Sequence, residues 1–238
     1  MGEENWPPSN IKWYYSDKWV AIAHADCRDI LPELPKVDLV LTDPPYGINY
    51  QSARRTEWQR KDKIQGDLEY PVWIFDLQPT SALLVWCRWD ILPKLPLPKS
   101  FIVWDKGNHS MGNLQHEYGR RWEAVAFYPM EHHAFIKRPI DIIYAMRVSP
   151  DKLVHPNEKP VGAVLPLIYH NKGELILDPF LGSGTTCFCA KKLQRKSIGI
   201  EIEEKYCEIS ARRCQQSVFE FKAQEKRDAT CNTTKVLL

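Results

Sequence analysis

Short apolar runs recur along the chain, each bounded by polar, Pro-containing or Gly-containing connections. Residues 19–25 (WVAIAHA), 37–43, 82–87 (ALLVWC), 100–104 (SFIVW), 123–128 (EAVAFY), 174–178 and 197–202 (SIGIEI) read as strands, and 141–147 (DIIYAMR) as a further extended piece. Runs this short and this continuously apolar suit strands covered on both faces. A helix is expected over 160–170, with Pro160 at its first turn and Pro166 kinking it. Two more helices are expected over 186–193 and 203–217, and a short helix or turn over 29–34. Strands alternating with helices predict an α/β, doubly wound, mostly parallel sheet.

Two strands run into distinctive turns. Val37–Leu41 leads to Thr42-Asp43-Pro44-Pro45-Tyr46-Gly47. Each Pro fixes its own φ and restricts the residue before it. The turn therefore presents a carboxylate, a carbonyl and an aromatic ring at a strand's carboxyl end, where open α/β sheets bind ligands. The second strand, 174–178, leads to Asp178-Pro179-Phe180-Leu181-Gly182-Ser183-Gly184-Thr185-Thr186 and then a helix. Here Gly182 and Gly184 are expected to let backbone approach a ligand where a Cβ would collide. Glu201 follows Asp178 by 23 residues, a spacing that suits a carboxylate on ribose hydroxyls. The pattern is not GxGxxG, because position 187 is Cys; a ribose-bearing ligand without a pyrophosphate fits it better.

Composition narrows the picture. The 238 residues are 44% hydrophobic, enough for one sizeable core, and the net charge of +2 imposes no nucleic-acid partner. Local clusters make that case instead. Residues 51–63 hold five basic residues and one Trp, placing Arg54, Arg55, Arg60 and Lys61 on a loop suited to phosphates. A second polar loop, 106–121, ends in Arg120-Arg121. Seven Cys without a CxxC pair indicate reduced thiols and a cytoplasmic protein rather than a disulfide framework. The four His of 109–133 lack metal-ligand spacing, so no metal is expected. No signal peptide or membrane span is expected from the apolar runs.

A third motif, His155-Pro156-Asn157-Glu158-Lys159-Pro160, precedes the Gly turn. Asp43-Pro44-Pro45-Tyr46, His155-Pro156-x-x-Lys159-Pro160 and Asp178-Pro179-Phe180-x-Gly182-x-Gly184-Thr185-Thr186, in that order, resemble the amino-methylating DNA methyltransferases of the β arrangement. The likeness spans about residues 19–215 and includes Ala25-Asp26-Cys27 and Gly199-Ile200-Glu201. It implies a circularly permuted, seven-stranded Rossmann-like sheet whose third to seventh strands come first and whose first and second come last. It also implies one domain over 19–220, with a catalytic half at 19–150 and a cofactor half at 151–220. An arm of uncertain structure (1–18) and a frayed tail (221–238) would flank it.

The same resemblance implies methyl transfer from S-adenosylmethionine, leaving S-adenosylhomocysteine, to an exocyclic amine of a base flipped out of double-stranded DNA. Asp43 and the Pro44 carbonyl would each accept an amine N–H, with Pro45 stiffening the turn and Tyr46 stacking on the base. Asp178, Phe180, Gly182 and Gly184, together with Pro179, Ser183 and Thr185, would line the methionine side of the cofactor. Glu201 would take the ribose, Asp26 the adenine end, and Lys159 a place in the cofactor pocket. An acid opening the Pro-Pro-aromatic motif goes with adenine; cytosine, RNA and a non-catalytic binding subunit stay open. A bacterial, archaeal or phage source, a homodimer and a cognate restriction nuclease are all compatible. Only about 25 residues separate Tyr128 from His155, too few for a separate target-recognition domain. Base recognition would then fall to loops 48–70 and 106–121, and the recognition sequence would be short or relaxed.

Overall fold

The computed structural model describes residues 6–47, 69–109, 115–116, 118–149, 153–155 and 157–216. Among these, nine strands form one mixed sheet: β1 (Tyr15–Ser16), β2 (Val20–His24), β3 (Leu39–Thr42), β4 (Ala82–Cys87), β5 (Ser100–Asp105), β6 (Trp122–Pro129), β7 (Ile142–Tyr144), β8 (Leu175–Asp178) and β9 (Lys196–Glu201). Their spatial order is β1-β2-β9-β8-β3-β4-β6-β5-β7. The run β2-β9-β8-β3-β4 is parallel throughout. β6 is antiparallel to both β4 and β5. The last two core strands of the chain thus insert between two of the earliest, as the permuted arrangement requires.

The seven expected strands account for the interior of this sheet. Two short strands extend its edges: β1 pairs antiparallel with β2, and β7 runs parallel to β5. The described part of the N-terminal arm is docked. Ile11 is buried, and Trp6 Nε1 donates to the Asp17 carbonyl at 3.0 Å. The segment past residue 216 lies outside the described residues, and the expected tail with it.

Alternation along the central strands sends side chains to two cores. Leu39, Leu41, Leu84 and Trp86 face one side, where α2 (Val161–His170) and α3 (Thr185–Lys192) cover them. Val40, Leu83, Val85, Leu177 and Ile198 face the other, beneath Ile74 of the 3-10 turn Val72–Asp76 and beside α1 (Cys27–Ile30). A further helix, α4 (204–216), packs Cys207, Ala211 and Cys214 over Val20 and Ile22. Coverage on both faces explains why β3 and β4 are apolar without a polar period.

The one acid before β3 is used structurally. Asp38 accepts the backbone N–H groups of Glu174 at 2.8 Å and Leu175 at 3.0 Å, and the Thr80 hydroxyl at 2.5 Å. It ties together the amino ends of β3, β8 and β4, so the opposite, carboxyl ends are the ones left open. No described helix is long and apolar enough to cross a membrane.

Candidate active site

The carboxyl ends of β3 and β8 open into one cavity of about 860 Å³. Asp43, Pro44, Pro45 and Tyr46 enter it from β3; Asp178, Pro179, Phe180, Gly182, Ser183 and Thr185 enter it from β8 and the turn beyond. The two motifs touch directly, since the Thr42 hydroxyl donates to Asp178 Oδ1 at 3.0 Å. Asp26, Lys159 and Glu201 also line this cavity.

Asp43 has both oxygens engaged. Oδ1 accepts the Tyr46 hydroxyl at 2.5 Å, and Oδ2 accepts the Lys159 ammonium at 2.5 Å. Burial pushes the Tyr46 phenol far above its ordinary pKa, and the Asp43 and Glu123 charges push it further, so it stays a donor. Lys159 is only 9% exposed, its ammonium lies 5.2 Å from the Trp86 ring centroid, and its carbonyl accepts the Thr185 hydroxyl at 3.1 Å. Burial opposes its charge, but Asp43 and Glu123 outweigh that and hold its pKa above the ordinary lysine value. The cofactor-pocket placement expected for Lys159 is therefore incomplete: its backbone joins the Gly turn, while its charge goes to Asp43.

Glu123, the second residue of β6, completes a chain of charges. Its Oε1 pairs with Lys106, and its Oε2 lies 3.3 Å from Lys159. That Oε2 is buried and makes no hydrogen bond among the described residues. Burial would raise the Glu123 pKa, but Lys159 and Lys106 hold it down at about 2. Asp178 is the opposite case. It is 4% exposed, and burial lifts its pKa to about 6 despite hydrogen bonds from Thr186, Thr42 and the Phe180 N–H.

The Gly turn is built by its neighbours. Glu201 accepts the Gly182 N–H through Oε2 and the Glu203 N–H through Oε1, both at 2.8 Å. Gly182 has φ +54° and faces the cavity with room for a Cβ. Gly184 requires a correction. It does not line the cavity; φ is +80°, and a Cβ would fall 2.7 Å from Ser210 Cβ on α4. It is glycine so that the helix can pack, not so that a ligand can approach. Helix α4 also holds the third motif: Arg213 pairs with Glu158 at 2.9 Å and donates to Thr185 Oγ1 at 3.0 Å. Asp26 caps α1 and pairs with Arg28 at 2.5 Å, which lowers its pKa.

The basic residues expected to meet DNA are less resolved by this geometry. Arg54, Arg55, Arg60 and Lys61 lie outside the described residues. Arg121 pairs with Asp105 at 2.5 Å, Arg120 lies 5.6 Å from the Trp89 ring centroid, and neither lines the cavity. Sequence reasoning missed Glu123, Trp73 and Tyr70. An acid opening the otherwise apolar run EAVAFY was the available signal for Glu123. Trp73 forms a cavity wall with Phe180 at 5.8 Å between ring centroids. The buried Tyr70 hydroxyl makes no hydrogen bond among the described residues.

The charge of the cavity narrows what it can hold, even with Glu158 paired to Arg213 and Glu203 to Lys205. Its described lining carries seven carboxylates against two cations, Arg28 and Lys159. That excess suits a ligand with net positive charge. Among the described residues no group of three or more His, Cys, Asp or Glu is placed to hold a metal ion.

A family model described as DNA methylase matches residues 137–212. The chain is 48% identical to the type II methyltransferase M2.MboI of Moraxella bovis, over 85% of this chain and 91% of that one. It is 29% identical to the putative methylase YubD of Escherichia coli, over 76% of this chain and 84% of that protein. Among solved structures, the M1.HpyAVI–SAM complex matches with a TM-score of 0.62 at 23% identity, covering 82% of this chain and 99% of that chain. The PvuII cytosine-N4-specific DNA methyltransferase matches with a TM-score of 0.59 at 16% identity, covering 85% and 90%.

Proposed function

The chain belongs to the DNA amino-methyltransferase family, and from that premise we propose that it methylates the exocyclic 6-amino group of a flipped-out adenine in DNA, with S-adenosylmethionine as donor. One observation carries this reading: the Asp43 turn and the Gly182 turn share a single cavity, joined by the Thr42–Asp178 hydrogen bond. S-adenosylmethionine supplies a methyl group on a sulfonium, and the carbon–sulfur bonding pair leaves with the sulfur. Its net positive charge matches the excess of carboxylates along the cavity. On this reading Asp178, Phe180 and Gly182, with Pro179, Ser183 and Thr185, hold its methionine end. Glu201 holds the ribose and Asp26 the adenine end.

The remaining work falls on the β3 turn. An exocyclic amine is a poor nucleophile because its lone pair is delocalised into the ring. Asp43 and the Pro44 carbonyl accept its two N–H groups, which localises that lone pair and aims it at the methyl carbon. Acceptors so placed stabilise the pyramidal, positively charged nitrogen of the transition state more than the planar amine. Pro44 and Pro45 hold them stiffly, so little reorganisation accompanies transfer. The proton then released from the methylated nitrogen passes to Asp43. Flipping the base costs roughly a few kcal/mol. Stacking on the Tyr46 ring returns about 1–3 kcal/mol of that.

Adenine is favoured over cytosine by the acid, Asp43, at the head of the motif. Incubation with unmethylated DNA and labelled S-adenosylmethionine, followed by nucleoside analysis, tests the reading. N6-methyladenine is expected. N4-methylcytosine would keep the mechanism and reject the base, and no labelled nucleoside would reject both. Mapping the product should show a short or relaxed recognition sequence read by loops 48–70 and 106–121.

A further inference from the structure

Asp43 stands in a conflict within its own site. The reaction proposed above needs its carboxylate to accept an N–H from the target amine, yet Oδ2 already accepts the Lys159 ammonium at 2.5 Å. An ammonium held there also opposes the chemistry, because the target nitrogen gains positive charge as the methyl arrives. That repulsion is strongest in the transition state, where it slows the reaction most. Removing the ammonium altogether would not help. A buried carboxylate without a counter-charge takes up a proton and loses acceptor capacity.

The structure holds the relief for this conflict. Glu123 Oε2 lies 3.3 Å from the same ammonium, buried and without a hydrogen bond among the described residues. Glu123 cannot swing away, because Lys106 holds its other oxygen. Lys159 is anchored at its backbone by the Thr185 hydroxyl. Only the end of its side chain has to move to exchange one carboxylate for the other.

We propose that Glu123 is a positioning residue for methyl transfer: it draws the Lys159 ammonium off Asp43 as the target amine docks. Lys159 then has two stations. In the empty site its charge opposes the effect of burial, which raises the Asp43 pKa; in the loaded site it rests on Glu123, and Asp43 Oδ2 is open to the amine. The proposal rests on Asp43 being the acceptor of that amine.

The test compares Glu123→Gln with Glu123→Asp in single-turnover methyl transfer, alongside DNA KM and S-adenosylhomocysteine binding. If the charge acts, Glu123→Gln loses about tenfold or more in the transfer rate, while KM and product affinity stay within about twofold of wild type. Glu123→Asp keeps the carboxylate and recovers part of the rate. A packing role gives the reverse ranking, since Gln fills the space of Glu and Asp leaves a gap. An unimpaired Glu123→Gln, a Glu123→Asp slower than Glu123→Gln, or a loss confined to KM overturns the proposal. Should Glu123→Gln not fold, the double variant Lys106→Met/Glu123→Gln removes both charges of the pair and reads the same rate. A wild-type protein that labels no DNA base defeats the reading of the site itself, whereas active wild type with an unaffected Glu123→Gln defeats this inference alone.

Discussion

Replacing Asp178 by Asn removes a negative charge from a side chain that is 4% exposed while leaving its shape nearly unchanged. Burial lifts the folded-state pKa of this carboxyl from 3.8 to about 6. A carboxyl raised in this way binds its proton more tightly in the folded chain than in the unfolded one. Wild-type stability therefore falls as pH rises from about 4 to about 6 and is flat with respect to this group above that window. The gap corresponds to about 3 kcal/mol at about 1.4 kcal/mol per pH unit. Asn keeps an oxygen for the Thr42 hydroxyl and the Phe180 N–H, which both donate to Oδ1. The Thr186 hydroxyl can turn to accept from its amide. Urea unfolding of the cofactor-free protein should show Asp178→Asn more stable than wild type by up to about 3 kcal/mol at pH 7. The two should be equal within error near pH 4. A difference that does not change with pH, or an Asn variant less stable at pH 7, would refute the assignment of that shift to Asp178. The cost should appear in binding. The same carboxylate is proposed to face the cationic end of S-adenosylmethionine, so wild-type affinity should tighten as pH rises through about 6 and the Asn variant's should not.

Three further substitutions probe other links of the argument. Asp43→Ala should abolish methyl transfer while calorimetry still detects S-adenosylhomocysteine binding; retained turnover would remove Asp43 from the mechanism. Tyr46→Phe loses the hydroxyl donated to Asp43 but keeps the ring, so kcat should fall with DNA affinity held. Tyr46→Ala should lose about 1–3 kcal/mol of DNA binding as well, read by fluorescence titration. Gly184→Ala combines a φ of +80° with a Cβ 2.7 Å from Ser210 and should destabilise the fold by about 2 kcal/mol or more in denaturant melts. Gly182→Ala, at φ +54° with its Cβ in ordinary contact with the His155 ring at 3.6 Å, should cost about 1 kcal/mol. Equal losses at the two positions would contradict the packing role of Gly184.

Periodicity and turn chemistry carried much of the sheet. The runs at 82–87 and 174–178 become β4 and β8 with bounds that differ by at most one residue. Such runs are legible because burial on both faces leaves no room for polar positions. The edges were less even: Ile142–Tyr144 falls inside the extended piece read at 141–147, whereas Tyr15–Ser16 is two residues long and partly exposed, so no hydrophobic pattern marks it. Three motifs placed Asp43, Lys159 and Asp178 near one another, but how Lys159 is used could not be read. Its pairing with Asp43 spans 116 residues and its contact with Glu123 depends on strand β6 lying beside β4. Long-range ion pairs leave no local trace in a sequence. Gly184 shows the same limit, because the residue that forbids its Cβ is Ser210, contributed by a helix that follows later.

The strands at either side of the cavity have an awkward order of synthesis. β2 and β3 leave the ribosome early, yet the slot between them is filled by β9 and β8, the last two strands among the described residues. At about 5–20 residues per second, that gap stays open for on the order of ten seconds during translation. For that interval two apolar strand edges lack their partners, inviting pairing with other chains. A message cut short before residue 175 would therefore yield a sticky fragment rather than a weak enzyme, since neither the sheet's middle nor the donor's seat exists without its final segment.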